Sequence, residues 1–177
     1  MSSTHALLRC AVCGIALLAC ALGWAGEMPV ANQSPLAFDG LVDQFGKPFD
    51  GTEQMALIML VSGMKAKNLV RDTLERVDVG CLRDRRVVYL ADISGMPKLI
   101  SKLFAVPKMR DLSYPVWLDY SGEVADSLPS ETDRITVLSL DSPRHVSAVN
   151  FVATGEQLGD ILTAECGASP GPKINLD

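Results

Sequence analysis

The chain has 177 residues, 16 Lys and Arg against 21 Asp and Glu, and a formal net charge of −5. That length suits one domain with a full core. The acidic balance argues against a nucleic-acid or anionic-membrane surface, since binding phosphate draws on clustered Lys and Arg.

Residues 1–25 read as an export leader rather than part of the fold. Arg9 is the only unambiguous charge, the residues from Cys10 to Leu22 are apolar or small, and Gly23-Trp24-Ala25 offers a small-x-small cleavage site. This apolar core is too short for a transmembrane helix and has no stop-transfer flank. A second reading competes: Leu17-Leu18-Ala19-Cys20 resembles a lipobox, which would leave a lipid anchor on Cys20. Both readings place the protein outside the cytosol, in the periplasm, either free or anchored through Cys20. Three of the five cysteines lie in this leader, so Cys81 and Cys166 remain, with His145 as the only histidine outside it.

Residues 26–35 form a polar lead-in. Residues 36–44 alternate into the turn signal Phe45-Gly46-Lys47-Pro48. The unbroken apolar run over 55–61 reads as a strand buried on both faces, and 65–79 as an amphipathic helix with Leu69, Val70, Leu74 and Val77. A second buried strand spans 86–93. Ser94-Gly95-Met96-Pro97 then opens a helix that carries Leu99, Ile100, Leu103 and Phe104 at helical spacing and is expected to stop at Pro107. A short strand over 115–120, a turn at Ser121-Gly122 and a brief helical segment over 124–128 follow. Two β-rich runs, 135–140 and 145–152, flank the hairpin signal Asp141-Ser142-Pro143-Arg144. A closing helix spans 155–164, and the tail 167–177 has nothing to bury and is expected to be mobile. Two buried strands, each followed by a helix, imply parallel neighbours joined by right-handed crossovers. The fold class is therefore α/β: one domain over 36–166, a mixed sheet flanked by helices on both faces.

The order β-α-β-α, then β-β-α, resembles that of the thioredoxin-like superfamily, closest in layout to its peroxiredoxin-type branch. Leu41-Val42-Asp43-Gln44-Phe45-Gly46-Lys47-Pro48-Phe49 resembles the N-terminal hairpin phrase of that branch. Tyr114-Pro115-Val116-Trp117-Leu118-Asp119-Tyr120-Ser121-Gly122 resembles a later strand with its acidic-glycine turn, and Arg134-Ile135-Thr136-Val137-Leu138 its Arg-led strand. The phrase around Asp92-Ile93-Ser94-Gly95-Met96-Pro97 also resembles a group of short exported bacterial proteins, some of which carry a flavin-dehydrogenase label. No Gly-x-Gly-x-x-Gly fingerprint follows a strand here, so no cofactor is expected.

The resemblance implies a catalytic cysteine near Lys65–Lys67, at a helix N-terminus where the macrodipole lowers a thiolate pKa. The chain reads Met64-Lys65-Ala66-Lys67-Asn68 there, and no cysteine lies between Cys20 and Cys81. Arg134 matches the arginine that steadies that thiolate in active relatives, and Asp133 and Arg134 occupy the stretch where thioredoxins place a cis-proline. The expectation is a thioredoxin-like protein without thiol catalysis, a binding or interaction module for an exported protein or small ligand. The rival readings are a thiol-disulfide oxidoreductase or peroxidase-like enzyme using Cys81 or Cys166, and a metal or cofactor carrier.

Ligands of open α/β sheets bind at the C-terminal edge of the strands, which makes Gly63, Met64, Asp92, Ser94 and Arg134 the expected binding edge. These residues are expected to line one concavity, with Asp92 as the partner of Arg134, while Ser94 serves either as a helix cap or as a ligand contact. In this topology the first and last helices end at the same edge, so Cys81 and Cys166 are readable as a structural disulfide, as two inert thiols or as a reactive pair. Met55 and Met59 fall in or beside a buried strand, where Met is a common filler, and with Met64, Met96 and Met109 they are not expected to form a copper site. His145 reads as a strand-edge histidine. Lys98, Lys102, Lys108 and Arg110 read as a solvated helix face, with an acidic partner or anion seen by that face as the sharper alternative.

Overall fold

The computed structural model describes residues 28–29, 35–51, 54–142 and 144–167. The leader with Cys20 and the tail beyond Gly167 lie outside the described residues.

Seven strands form one mixed sheet: β1 (Met28–Pro29), β2 (Val42–Asp43), β3 (Leu57–Val61), β4 (Val87–Asp92), β5 (Val116–Asp119), β6 (Ile135–Ser142) and β7 (His145–Val152). Their spatial order is β1-β7-β6-β3-β4-β5-β2. β3, β4 and β5 are parallel, with Leu57 opposite Val87 and Asp92 opposite Asp119. β6 runs antiparallel to β3 and β7 antiparallel to β6. The expected hairpin forms, with Ser142 opposite His145 and Arg144 at φ 75°.

The helices are α1 (Gly63–Leu74), α2 (Gly80–Arg83), α3 (Lys98–Ile100), α4 (Val106–Met109), α5 (Glu123–Asp126) and α6 (Gly155–Gly167), with a π-helical segment, Ser101–Ala105, between α3 and α4. Every residue of β3 is buried because both faces of the sheet are covered. Its odd-numbered residues, Leu57, Met59 and Val61, pack with Val70 of α1 and Leu158 and Leu162 of α6. Its even-numbered residues, Ile58 and Leu60, pack with Trp117, Leu36, Phe38 and Val124 of α5.

Four sequence expectations need correction. The sequence pattern assigns no strand to the polar lead-in over 26–35, yet β1 within it pairs with β7; backbone pairing needs no side-chain pattern. α1 ends at Leu74 rather than near Val79. The Arg76 N–H turns back to the Thr73 carbonyl, and the Asp78 carboxylate accepts the Gly80 N–H at 2.9 Å where α2 begins. The helix after β4 runs past Pro107 to Met109, with the proline in the first turn of α4, where its missing N–H costs least. The closing helix continues three residues beyond Ala164. Among the described residues no helix is long and apolar enough to cross a membrane.

Candidate functional site

β3 passes into α1 through Ser62 and Gly63. Gly63 has φ 81°, a conformation that glycine adopts without the Cβ clash other residues meet. Ser62 holds the N-cap position of α1 but caps nothing with its side chain; its hydroxyl donates instead to Asp92 Oδ2 at 2.9 Å. The other oxygen, Asp92 Oδ1, accepts from the Ser94 N–H at 3.0 Å and the Ser94 hydroxyl at 2.7 Å. Asp92 thus ties the end of β3 to the turn that leaves β4.

One strand further along, the buried Asp119 organises the next turn. Its Oδ1 accepts the N–H groups of Ser121 and Gly122, and its Oδ2 those of Val124 and Ala125, at 2.8–3.1 Å. The turn packs tightly against Ser94: a Cβ on Gly122 would stand 2.9 Å from the Ser94 hydroxyl oxygen.

A cavity of about 490 Å³ opens at this edge. One wall is the β3–α1 junction, with Val61, Met64 and Lys67; the floor includes Tyr89 and Asp92; the far wall carries Met96, Ile100 and Met109. Of the five expected edge residues, Gly63, Met64 and Asp92 line the cavity, and Ser94 stands behind Asp92 as its hydrogen-bond donor.

Arg134 corrects the expectation. It sits at the same edge, just before β6, but it does not line the cavity and pairs with Glu131 at 3.1 Å rather than with Asp92. β6 and β4 flank β3 from opposite sides, so β3 stands between Arg134 and Asp92. The neighbouring Asp133 pairs with Lys65 at 3.6 Å.

Met55 and Met59 belong to the cores on opposite faces of the sheet, whereas Met64, Met96 and Met109 line the cavity. The helix beyond it presents Leu99, Leu103 and Phe104 to solvent, each at least 60% exposed. Its inward positions are Ser101 and Val106 instead. Lys98, Lys102 and Lys108 lie on the surface as expected, and the Arg110 side chain donates to the Gln44 carbonyl at 2.9 Å. His145 is exposed at the start of β7. Among the described residues no three His, Cys, Asp or Glu side chains gather as metal ligands.

Lys67, Met96, Ile100 and Met109 were not legible as site residues. Gly95-Met96-Pro97 follows a buried strand and could have flagged the far wall, but only tertiary packing sets how the helix is rotated.

The Cys81 and Cys166 sulfurs stand at disulfide distance, with Cα atoms 5.0 Å apart. Cys81 lies in α2 beyond the C-terminal end of α1. The pair is therefore separated from the cavity by about one helix length, roughly 18 Å at the α-helical rise. An ion pair between Arg86 and Glu165 reinforces the junction.

Burial pushes the Tyr89 phenol far above its ordinary range, with the Tyr114 ring stacked beside it adding to the shift. Away from the cavity, a hydrogen bond from Arg85 holds the Asp50 carboxyl below its ordinary value. No known family model matches the chain, and no curated protein is significantly similar to it.

Proposed function

We propose that this chain is an exported thioredoxin-like protein without thiol catalysis, whose ligand or partner meets the C-terminal edge of β3 and β4. The observation that carries the reading is the start of α1. Near Lys65–Lys67, where a thiol enzyme of that type would hold its nucleophile, the chain has no cysteine, and Met64 and Lys67 line a cavity.

The strand order supports the fold assignment. β7-β6-β3-β4, with β3 and β4 parallel and the hairpin antiparallel to them, matches β-α-β followed by β-β-α. The Cys81–Cys166 pairing supports export, because disulfides persist in oxidising compartments. The same pairing weighs against Cys81 as a nucleophile: it is buried, paired and remote from the cavity. The cavity together with the exposed Leu99, Leu103 and Phe104 forms the contact surface, since contiguous apolar exposure of this kind marks interaction sites.

The test is turnover of insulin disulfides and of hydrogen peroxide by the wild-type protein and by the Cys81→Ser/Cys166→Ser double variant. Both should be equally inactive. Activity that vanishes in the double variant overturns the non-catalytic reading.

A further inference from the structure

We infer that the cavity binds an amphipathic anion, a small molecule with an apolar body and a single anionic head group. This deepens the reading of the β3–β4 edge as a binding site and rests on it.

A volume of about 490 Å³ falls within the range of small-molecule sites, roughly 300–1,000 Å³. Its walls are mostly apolar, and three of the lining side chains are methionines, which adapt to differently shaped apolar ligands because the thioether chain is unbranched and polarizable. The polar groups decide the sign of the head group. Asp92 is the only carboxylate among the described lining residues, and both its oxygens already accept hydrogen bonds from Ser62 and Ser94. A cationic ligand would have to compete for it.

Lys67 is half-buried, lines the cavity and makes no ion pair among the described residues. Lys98 and Lys102 make none either, but neither lines the cavity. α1 begins here with no acidic residue in its first turn, so its dipole adds to the same sign. The cavity therefore sets one cation that makes no ion pair among the described residues, and one helix N-terminus, against a mostly apolar interior.

The test follows the methionine methyl resonances of the purified protein during titration with octanoate, octyl phosphate, octanol and octyltrimethylammonium, each below micelle-forming concentration. Octanoate or octyl phosphate should saturably shift Met64, Met96 and Met109 while Met55 stays in place; comparing the two distinguishes a carboxylate from a phosphoester head. Either anion should bind about ten-fold more tightly than octanol, the scale of one charge-assisted contact. Lys67→Gln should remove most of that advantage without weakening octanol binding, and Lys67→Arg should keep it.

Octanol or the quaternary amine binding as tightly as the anions overturns the inference, as does the absence of saturable shifts with any probe. Neither result restores thiol catalysis. Cysteine-dependent turnover, conversely, overturns the non-catalytic reading whatever the methyl resonances show.

Discussion

Asp119 shows how one side chain can specify a turn. Its carboxylate collects four backbone N–H groups and the Ser121 hydroxyl while almost fully buried. Asp119→Ala leaves those donors without their acceptor, and each buried unsatisfied group costs about 1–3 kcal/mol. We expect a loss of about 3 kcal/mol or more in denaturant unfolding, with the β4–β5 edge loosened first in hydrogen exchange. Tyr89 sets a limit at the alkaline end. Its folded-state pKa is raised from 10.0 by burial, so above pH 10 the unfolded chain loses a proton that the folded chain keeps. Stability should therefore be unaffected by this group below pH 10 and fall as pH rises beyond it. Tyr89→Phe should flatten that fall, as read from urea midpoints between pH 9 and 11.

At the level of elements, the strands were the most legible part of the chain. β3 and β4 are apolar runs short enough to be strands and bounded by turn residues, and the hairpin between β6 and β7 carries its own turn chemistry. The sheet-edge rule placed Gly63, Met64 and Asp92 at one edge, where they line one cavity, because that rule depends only on strand direction. It failed for Arg134, whose partner is chosen by a local turn, Glu131 being three residues away. The helix after β4 was the least legible. Leu99, Ile100, Leu103 and Phe104 have the spacing of a core face, yet Leu99, Leu103 and Phe104 point outward, Ile100 lines the cavity, and the smaller Ser101 and Val106 point inward. A π-helical segment interrupts the helix and Pro107 opens its last turn; tertiary packing sets the rotation, and hydrophobic spacing carries no trace of it. Because these side chains contribute little burial, Leu103→Lys and Phe104→Lys should each leave the unfolding free energy within about 0.5 kcal/mol of wild type. A loss of 2 kcal/mol or more in either variant would place this face in the core.

For the whole molecule, the cavity and the cysteine pair lie at opposite edges of the sheet. The cavity lies where β3 and β4 end, and the Cys81–Cys166 pair with its Arg86–Glu165 ion pair joins α2 to α6 at the far end. The bridge closes an 85-residue span, worth on the order of 4–5 kcal/mol in the chain-entropy model. Unreduced protein should show no free thiol at these two positions on alkylation and mass spectrometry. Cys166→Ala should lower the thermal midpoint by about 10 °C while leaving the cavity residues in place, as their methyl resonances would report.

The same cross-link divides the chain mechanically. Tension applied between residues 35 and 167 passes from Cys81 directly to Cys166, so the whole span from β4 to α6 carries no load. That span holds the floor and far wall of the cavity, while the wall from β3 and α1 lies on the loaded path. Oxidised protein pulled in an optical trap should extend about 300 Å less than reduced protein, the contour length of the shielded span at roughly 3.6 Å per residue. Equal extensions would mean that the two sulfurs are not joined.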